Sequence, residues 1–347
     1  MTTAYMRKVA VFLGLVPLLV GFSVPAICQN AIALVGSGSN LPTPLYNNWI
    51  EEYNKLNPGI QVRYLSTGTV KGIDDTSRGV GDFAAGEVPM TDEQLKSAQT
   101  PLLQIPTVLV AIVPIYNLPG VKHGLRFSGP ILADIFLGTI KSWDDPRLKE
   151  MNPGQPLPHL DISVVHRSEG KGSNYIFTDF LSKTSSKWHG QIGKTPSPAW
   201  PVGASASRGE DMMEKVKSTN GAIGYIELGF VLKDSNVGVG VVENASGKFV
   251  AANHESIEAA YHAFEKNIPG DFRASLTNAS GADAYPIISF TWLYVPAKSA
   301  NAERSRALVN FIEWALTAGK QSAESQGYTP LPASLAPKVL AKVHTIG

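Results

Sequence analysis

Strand–polar turn–helix units that follow one another predict an α/β protein with parallel strands and ligand-bearing turns at their carboxyl ends. Three observations carry that expectation. Two such units stand in succession near the start of the chain, and a third, with a basic residue at its strand end, lies in the middle. Two long apolar runs, 105–115 and 287–295, are rich in the β-branched and aromatic residues of buried strands.

In chain order, Arg7 and Lys8 precede an apolar run over 9–24, and Ala26-Ile27-Cys28 offers small residues for cleavage. That pattern is a secretory signal peptide over residues 1–28, and it implies a periplasmic or secreted protein. A membrane anchor fits less well, because the run is short and broken by Pro17 and Pro25. Cys28 is the single cysteine, so the cleaved chain has no disulfide; Ile27 before it is a poor fit to a lipid-modification site.

Residues 32–35 read as the first strand and lead into Gly36-Ser37-Gly38-Ser39-Asn40. Pro42 and Pro44 bracket a helix start, and Tyr46, Trp49, Ile50 and Tyr53 fall at i, i+3, i+4 and i+7, one packed face. Asn57-Pro58-Gly59 stops that helix. A strand over 60–65, the turn Ser66-Thr67-Gly68-Thr69, a helix over 70–77 and a short strand over 82–85 ending at Gly86-Glu87 complete the second unit. Beyond the long strand, 130–137 reads as helix with Trp143 in the loop after it.

The third unit is the most informative. Residues 162–165 read as strand, 166–172 as a polar glycine-containing loop, and Ser173 as the N-cap of a helix whose apolar face carries Tyr175, Ile176, Phe180 and Leu181. A helix start leaves backbone N–H groups free, with a partial positive charge. Arg167 at the strand end adds a planar fork of donors suited to oxyanions, and Lys171 a second cation. Together they describe a seat for a small tetrahedral anion. Such joints are common in α/β proteins, so the stretch alone does not decide the matter. It is not a nucleotide P-loop, because Gly172 rather than Ser or Thr follows Gly170-Lys171. Downstream, 212–217 and 257–264 read as helices, 222–226 as strand, 302–317 as a strong helix, and Pro330 and Pro332 as a looped end.

Composition bounds the function. The 347 residues suffice for two domains, and 44% hydrophobic with 17% charged residues is ordinary for a globular protein. A formal net charge of +1 gives no basic field for nucleic acid. His166 alternates away from Arg167 along the strand, which assigns it to packing. His189, His254 and His262 lack metal-ligand spacing, and no nucleophile elbow is present, so neither metal, cofactor nor catalysis is expected. Trp49, Trp143, Trp292 and Trp314 read as core, and Asp144-Asp145 as a turn or cap.

GSGSNLPTPLYNNW (36–49), YLSTGTVKGI (64–73), DFAAGEVPMTDEQL (82–95), QIPTVLVAIVPIYNLPG (104–120), IFLGTIKSWDDPRL (135–148), VVHRSEGKGSNYIFTDFL (164–181) and NGAIGYIE (220–227) together resemble the phosphate-binding proteins of bacterial phosphate ABC transporters. The likeness runs through nearly the whole mature chain in the same order. It implies an α/β, two-lobed periplasmic binding protein fold of type II, with a ligand cleft between lobes. Lobe I would hold 31–112 and 290–347, lobe II 113–289, and the two long strands would be the hinge crossings. It further implies a monomer that binds inorganic phosphate and serves the membrane permease and ATPase subunits of an ABC transporter.

Position by position, the resemblance implies phosphate contacts from Asn40, the Leu41 amide, Ser66 and Glu87 in the first lobe. From the second lobe it implies Arg167, Lys171, Gly172 and Ser173, with Glu169 orienting the arginine. Three positions depart from the family pattern: Asn40 for Thr, Glu87 for Asp and Lys171 for Ser. An unpaired buried charge is costly, so Glu87 and Lys171 are expected to pair across the cleft. A receptor for another oxyanion, a phosphohydrolase and a phosphate sensor without transport remain open as alternatives.

Overall fold

The computed structural model describes residues 1–2, 31–121 and 124–347. The expected signal peptide, Cys28 included, lies outside the described residues apart from its first two.

The first group of strands is parallel. β1 (Ile32–Gly38) is followed by α1 (Thr43–Leu56), β2 (Ile60–Ser66), α2 (Thr69–Ser77), β3 (Phe83–Gly86) and α3 (Asp92–Ser97). β2 and β3 flank β1, and the register aligns Gly38 with both Ser66 and Ala85. All three strands therefore end level, which sets the turns that leave them side by side. Gly38 has φ +128°, and a Cβ there would lie 2.2 Å from the Ala85 carbonyl oxygen, so only glycine fits. On α1, Tyr46, Trp49 and Tyr53 are buried as the spacing predicts, with Ile50 half-buried. Burial of each such side chain is worth about 2–3 kcal/mol.

β4 (Leu102–Asn117) is apolar and almost wholly buried along its length. After it come β5 (Arg126–Phe127), α4 (Gly129–Phe136), α5 (Pro146–Met151), β6 (Ser163–Arg167), α6 (Gly172–Thr184) and α7 (Ser186–Gln191). β7 (Ala204–Ala206), α8 (Gly209–Ser218), β8 (Ala222–Glu227) and α9 (Leu228–Lys233) follow. β6 is parallel to both β7 and β8 and forms the second parallel group with them. Short β9 (Gly238–Val239), β10 (Val241–Glu243) and β11 (Phe249–Val250) lead to α10 (His254–Phe264). The chain then returns through β12 (Ile288–Pro296), α11 (Ala302–Thr317), α12 (Lys320–Ser325), β13 (Thr329–Pro330) and α13 (Ala336–Val343).

The strand order is β2-β1-β3-β12-β4-β8-β6-β7, so the antiparallel pair β12-β4 joins the two parallel groups. β4 changes partners within its own length: Leu102 to Ala111 pair with β12, and Ile112 to Asn117 pair with β8. The two-lobed architecture follows, with polar turns of both groups at the joint.

Two expectations need correction. The end marked as looped by Pro330 and Pro332 contains α13; its buried Ala336, Val339 and Val343 share one face, and its proline sits harmlessly in the first turn. The strand expected over 162–165 continues through Arg167. Short α3, α5, α7 and α9 have too few residues to show a helical period. Asp145 caps α5 by accepting from the Arg147 amide.

Candidate functional site

Helix starts normally consume their free amides with a side-chain cap, as Ser128 does for α4 and Asn301 for α11. α1, α2 and α6 begin without any side-chain cap. Their starts converge. Asn40, just before α1, donates from Nδ2 to Ser66 Oγ at 2.5 Å, and Thr43 Oγ1 reaches the same hydroxyl at 3.0 Å. Lys171 at the start of α6 donates from Nζ to Asn40 Oδ1 at 2.9 Å. The Val70 amide in α2 donates to the Gly170 carbonyl at 3.3 Å. Turns from both parallel groups therefore touch, and their uncapped amides collect a positive partial charge at one place.

Glu87 lies under this meeting point and is fully buried. Ser39 donates to its Oε2 at 2.7 Å, Thr69 to the same oxygen at 3.1 Å, and Thr291 to Oε1 at 3.2 Å. The Leu41 amide donates back to Ser39 Oγ at 3.1 Å, which fixes that hydroxyl. Burial pushes the Glu87 carboxyl up to about 7; the three hydroxyls oppose the rise and the Glu227 charge adds to it. Across the joint, a Cβ on Gly172 would fall 1.8 Å from Glu87 Oε2, so the second group's helix reaches the carboxylate through bare backbone.

Arg167 is 2% exposed, a rare burial for a guanidinium. Its Nη2 donates to the Ser207 carbonyl at 3.2 Å, and Nη1 stands 3.6 Å from Glu227 Oε1. Nε has no partner among the described residues. The Arg167 amide donates to Tyr225 Oη at 3.1 Å, and that hydroxyl donates to Asn174 Oδ1, tying strand end to helix. Burial and then the Arg167 charge lower the Lys171 ammonium below its ordinary range. Two cations and two carboxylates thus share one poorly solvated region.

All eight residues expected at the site stand on these turns, with three corrections. Lys171, not Ser173, is the N-cap residue, two positions earlier than the serine suggested; Ser173 is buried in the first turn of α6. Lys171 pairs with Asn40 rather than Glu87: the carboxylate is deeper and already satisfied by three hydroxyls, while the half-buried lysine stays at the rim. Glu169 is exposed, and among the described residues no ion pair joins it to Arg167. Glu227, at the end of the neighbouring strand, stands there instead.

Sequence reasoning missed Ser39, Thr69, Thr291 and Glu227 as participants. The first two and Glu227 lie inside stretches that carry the resemblance, and a buried carboxylate's need for donors was the available signal. Thr291 comes from a strand 204 residues away and left no local trace. His166 packs flat on Trp200, ring centroids 5.0 Å apart, outside the site.

A family model described as a PBP superfamily domain matches residues 27–318. The phosphate-binding protein PstS of Xylella fastidiosa (strain Temecula1) is 33% identical over 312 residues, which cover 90% of this chain and 85% of that protein. Its namesake in Haemophilus influenzae (strain Rd) is 35% identical over 306 residues, covering 88% and 90%. Among solved structures, the high affinity periplasmic phosphate-binding protein PfluDING, solved with phosphate bound, superposes with a TM-score of 0.72 at 21% identity and covers 89% of this chain and 93% of its own. A phosphate-binding protein from Stenotrophomonas maltophilia gives 0.68 at 18% identity, covering 90% and 94%.

Proposed function

Since the chain belongs to the PBP superfamily, and within it to the family of the PstS phosphate-binding proteins, we propose that it captures inorganic phosphate between its two halves and delivers it to an ABC permease. The observation that carries the reading is the convergence of three uncapped helix starts from both parallel groups around Arg167, Lys171 and the buried carboxyl of Glu87.

The binding set proposed is Asn40, the Leu41 amide, Ser66, Glu87, Arg167, Lys171, Gly172 and Ser173. Hydroxyls and backbone N–H groups satisfy the oxygens, and Arg167 supplies charge through its unpartnered donor. Glu87, when ionised, accepts the ligand's remaining proton; a fully deprotonated anion would face it lone pair to lone pair. We assign 31–112 with 290–347 to one lobe and 113–289 to the other. This division puts the hinge where β4 changes partners between Ala111 and Ile112. Closure is favoured because the ligand contacts both lobes at once. The signal-peptide pattern supports a mature protein in the periplasm or outside the cell, where permease and ATPase subunits would be its partners.

One observation favours a second reading. With its carboxyl raised to about 7, Glu87 carries a proton in mildly acidic solution and then donates to a fully deprotonated oxyanion such as sulfate. Calorimetric titration of the refolded, anion-free protein at pH 6 and pH 8 with phosphate, arsenate and sulfate separates the two. Phosphate heat at both pH values, with sulfate silent at pH 8, is expected. Sulfate preferred over phosphate at pH 6 would establish the second reading, and no phosphate heat at all would overturn the proposal. Turnover of a phosphate ester abolished by Arg167→Ala would favour a hydrolase.

A further inference from the structure

Glu227 closes β8, directly opposite Ile112, the residue at which β4 leaves β12. It is 3% exposed, yet neither carboxylate oxygen has a hydrogen-bond partner among the described residues. The ion nearest to it is Arg167, itself 2% exposed, with Nη1 3.6 Å away and Nε unpartnered. A buried carboxylate without hydrogen-bond donors stays ionised only if a charge balances it. The arginine, in turn, is gripped on its other side by a single carbonyl, that of Ser207. With one neutral acceptor and one counter-ion, the carboxylate decides where the guanidinium plane points.

We infer that Glu227, rather than the acidic residue two positions after the arginine, is the positioning residue for Arg167, and that it ties the anion-facing donors to the point where β4 passes between lobes. This deepens the phosphate-binding reading and rests on it for the identity of the anion. Other charged or titratable groups that act on Glu227 electrostatically are Glu210 from α8, Glu87 just after β3, Tyr225 from its own strand and Tyr328 beside β13. None of these is a cation, so the loss of Arg167 has no substitute among them.

The test has two arms on the mature protein: wild type, Glu227→Gln, Glu227→Asp and Glu169→Gln. In the ligand-free arm, the rotation rate of the Arg167 guanidinium about its Nε–Cζ bond is read by nitrogen-15 NMR. Slow rotation in wild type and Glu169→Gln, fast rotation in Glu227→Gln and recovery in Glu227→Asp are expected. In the second arm, Glu227→Gln weakens phosphate binding by roughly tenfold to a hundredfold, the range for residues that orient a ligating group, while Glu169→Gln leaves it unchanged. Unchanged rotation in Glu227→Gln, or equal loss in Glu169→Gln, overturns the inference. So does tighter phosphate binding in Glu227→Gln, since removal of a negative neighbour without loss of position would have that sign. A thermal melt of each variant separates a folding defect: effects that track melting temperature and are not recovered by Asp count against the inference. If wild type binds no phosphate but the rotation pattern holds, the phosphate reading falls and the positioning role stands.

Discussion

Two of the buried carboxylates, Glu87 and Glu227, belong to the anion-site region, one in each half, and they are treated in opposite ways. Glu87 receives hydroxyl protons from Ser39, Thr69 and Thr291, on three different parts of the chain. Among the described residues Glu227 receives none and faces a single guanidinium. Burial raises both carboxyls above their ordinary range; hydroxyls counter the rise at Glu87, and the Arg167 charge counters it at Glu227. Neutral donors can satisfy a carboxyl in either protonation state, because a hydroxyl both gives and takes a hydrogen bond. A counter-ion satisfies only the ionised state. The first half is therefore built to tolerate a change of protonation, and the second half to hold a fixed charge separation.

The largest effect should come from breaking the fixed pair. Arg167→Ala leaves Glu227 buried without compensation and should cost about 3–5 kcal/mol of stability, together with all measurable phosphate binding. Denaturant unfolding reads the first and calorimetry the second; a loss of binding with unchanged stability would mean that Glu227 is solvated or neutral.

Next is the pH dependence of the tolerant half. Glu87 has a folded value of about 7 against an ordinary 4.5, so between those limits the folded state binds the extra proton. Stability from this group is thus fully present below about pH 4.5 and is lost as the pH rises through 7, by up to about 3 kcal/mol. Glu87→Gln should flatten melting temperature between pH 5 and 8 and gain on wild type at the alkaline end. An unchanged slope would place the titration elsewhere.

A smaller effect is expected where the halves touch without charge. Gly172→Ala places a methyl against Glu87 Oε2 and should cost roughly 1–3 kcal/mol as overpacking. We expect the loss in phosphate affinity rather than in the melting of the ligand-free protein, because the contact spans the joint. Equal affinity to wild type would show that the two turns do not approach during binding. The smallest term is the rim contact. A double-mutant cycle on Asn40→Ala and Lys171→Met should yield a coupling of about 1 kcal/mol, whereas Glu87→Asp and Lys171→Ser should add independently. Coupling in the second pair and none in the first would reverse the assignment.

The repeated strand–turn–helix pattern, the helix faces of α1 and α11 and the two long apolar strands were legible because burial imposes period and composition on local sequence. So were the polar turns at the strand ends and the cations Arg167 and Lys171, whereas Asn40, Leu41, Ser66 and Glu87 were named only by the family resemblance. Short helices left no period to read. The cap of α6 was misplaced by two residues because Ser173 is a good cap in isolation but lies inside the first turn, where a bare helix start meets the other half.

What the sequence determined by itself is the kind of chemistry present: glycine turns, helix starts beside them, one arginine at a strand end and an acidic residue at another. Which of these pair was decided only in three dimensions. Glu87 finds its hydroxyls, Lys171 finds Asn40, and Arg167 finds Glu227 sixty residues away because strand register sets the turns level. Charge pairing acts over a few ångströms of space and carries no mark of sequence distance, so the pattern of residues names the groups while the sheet chooses the partners.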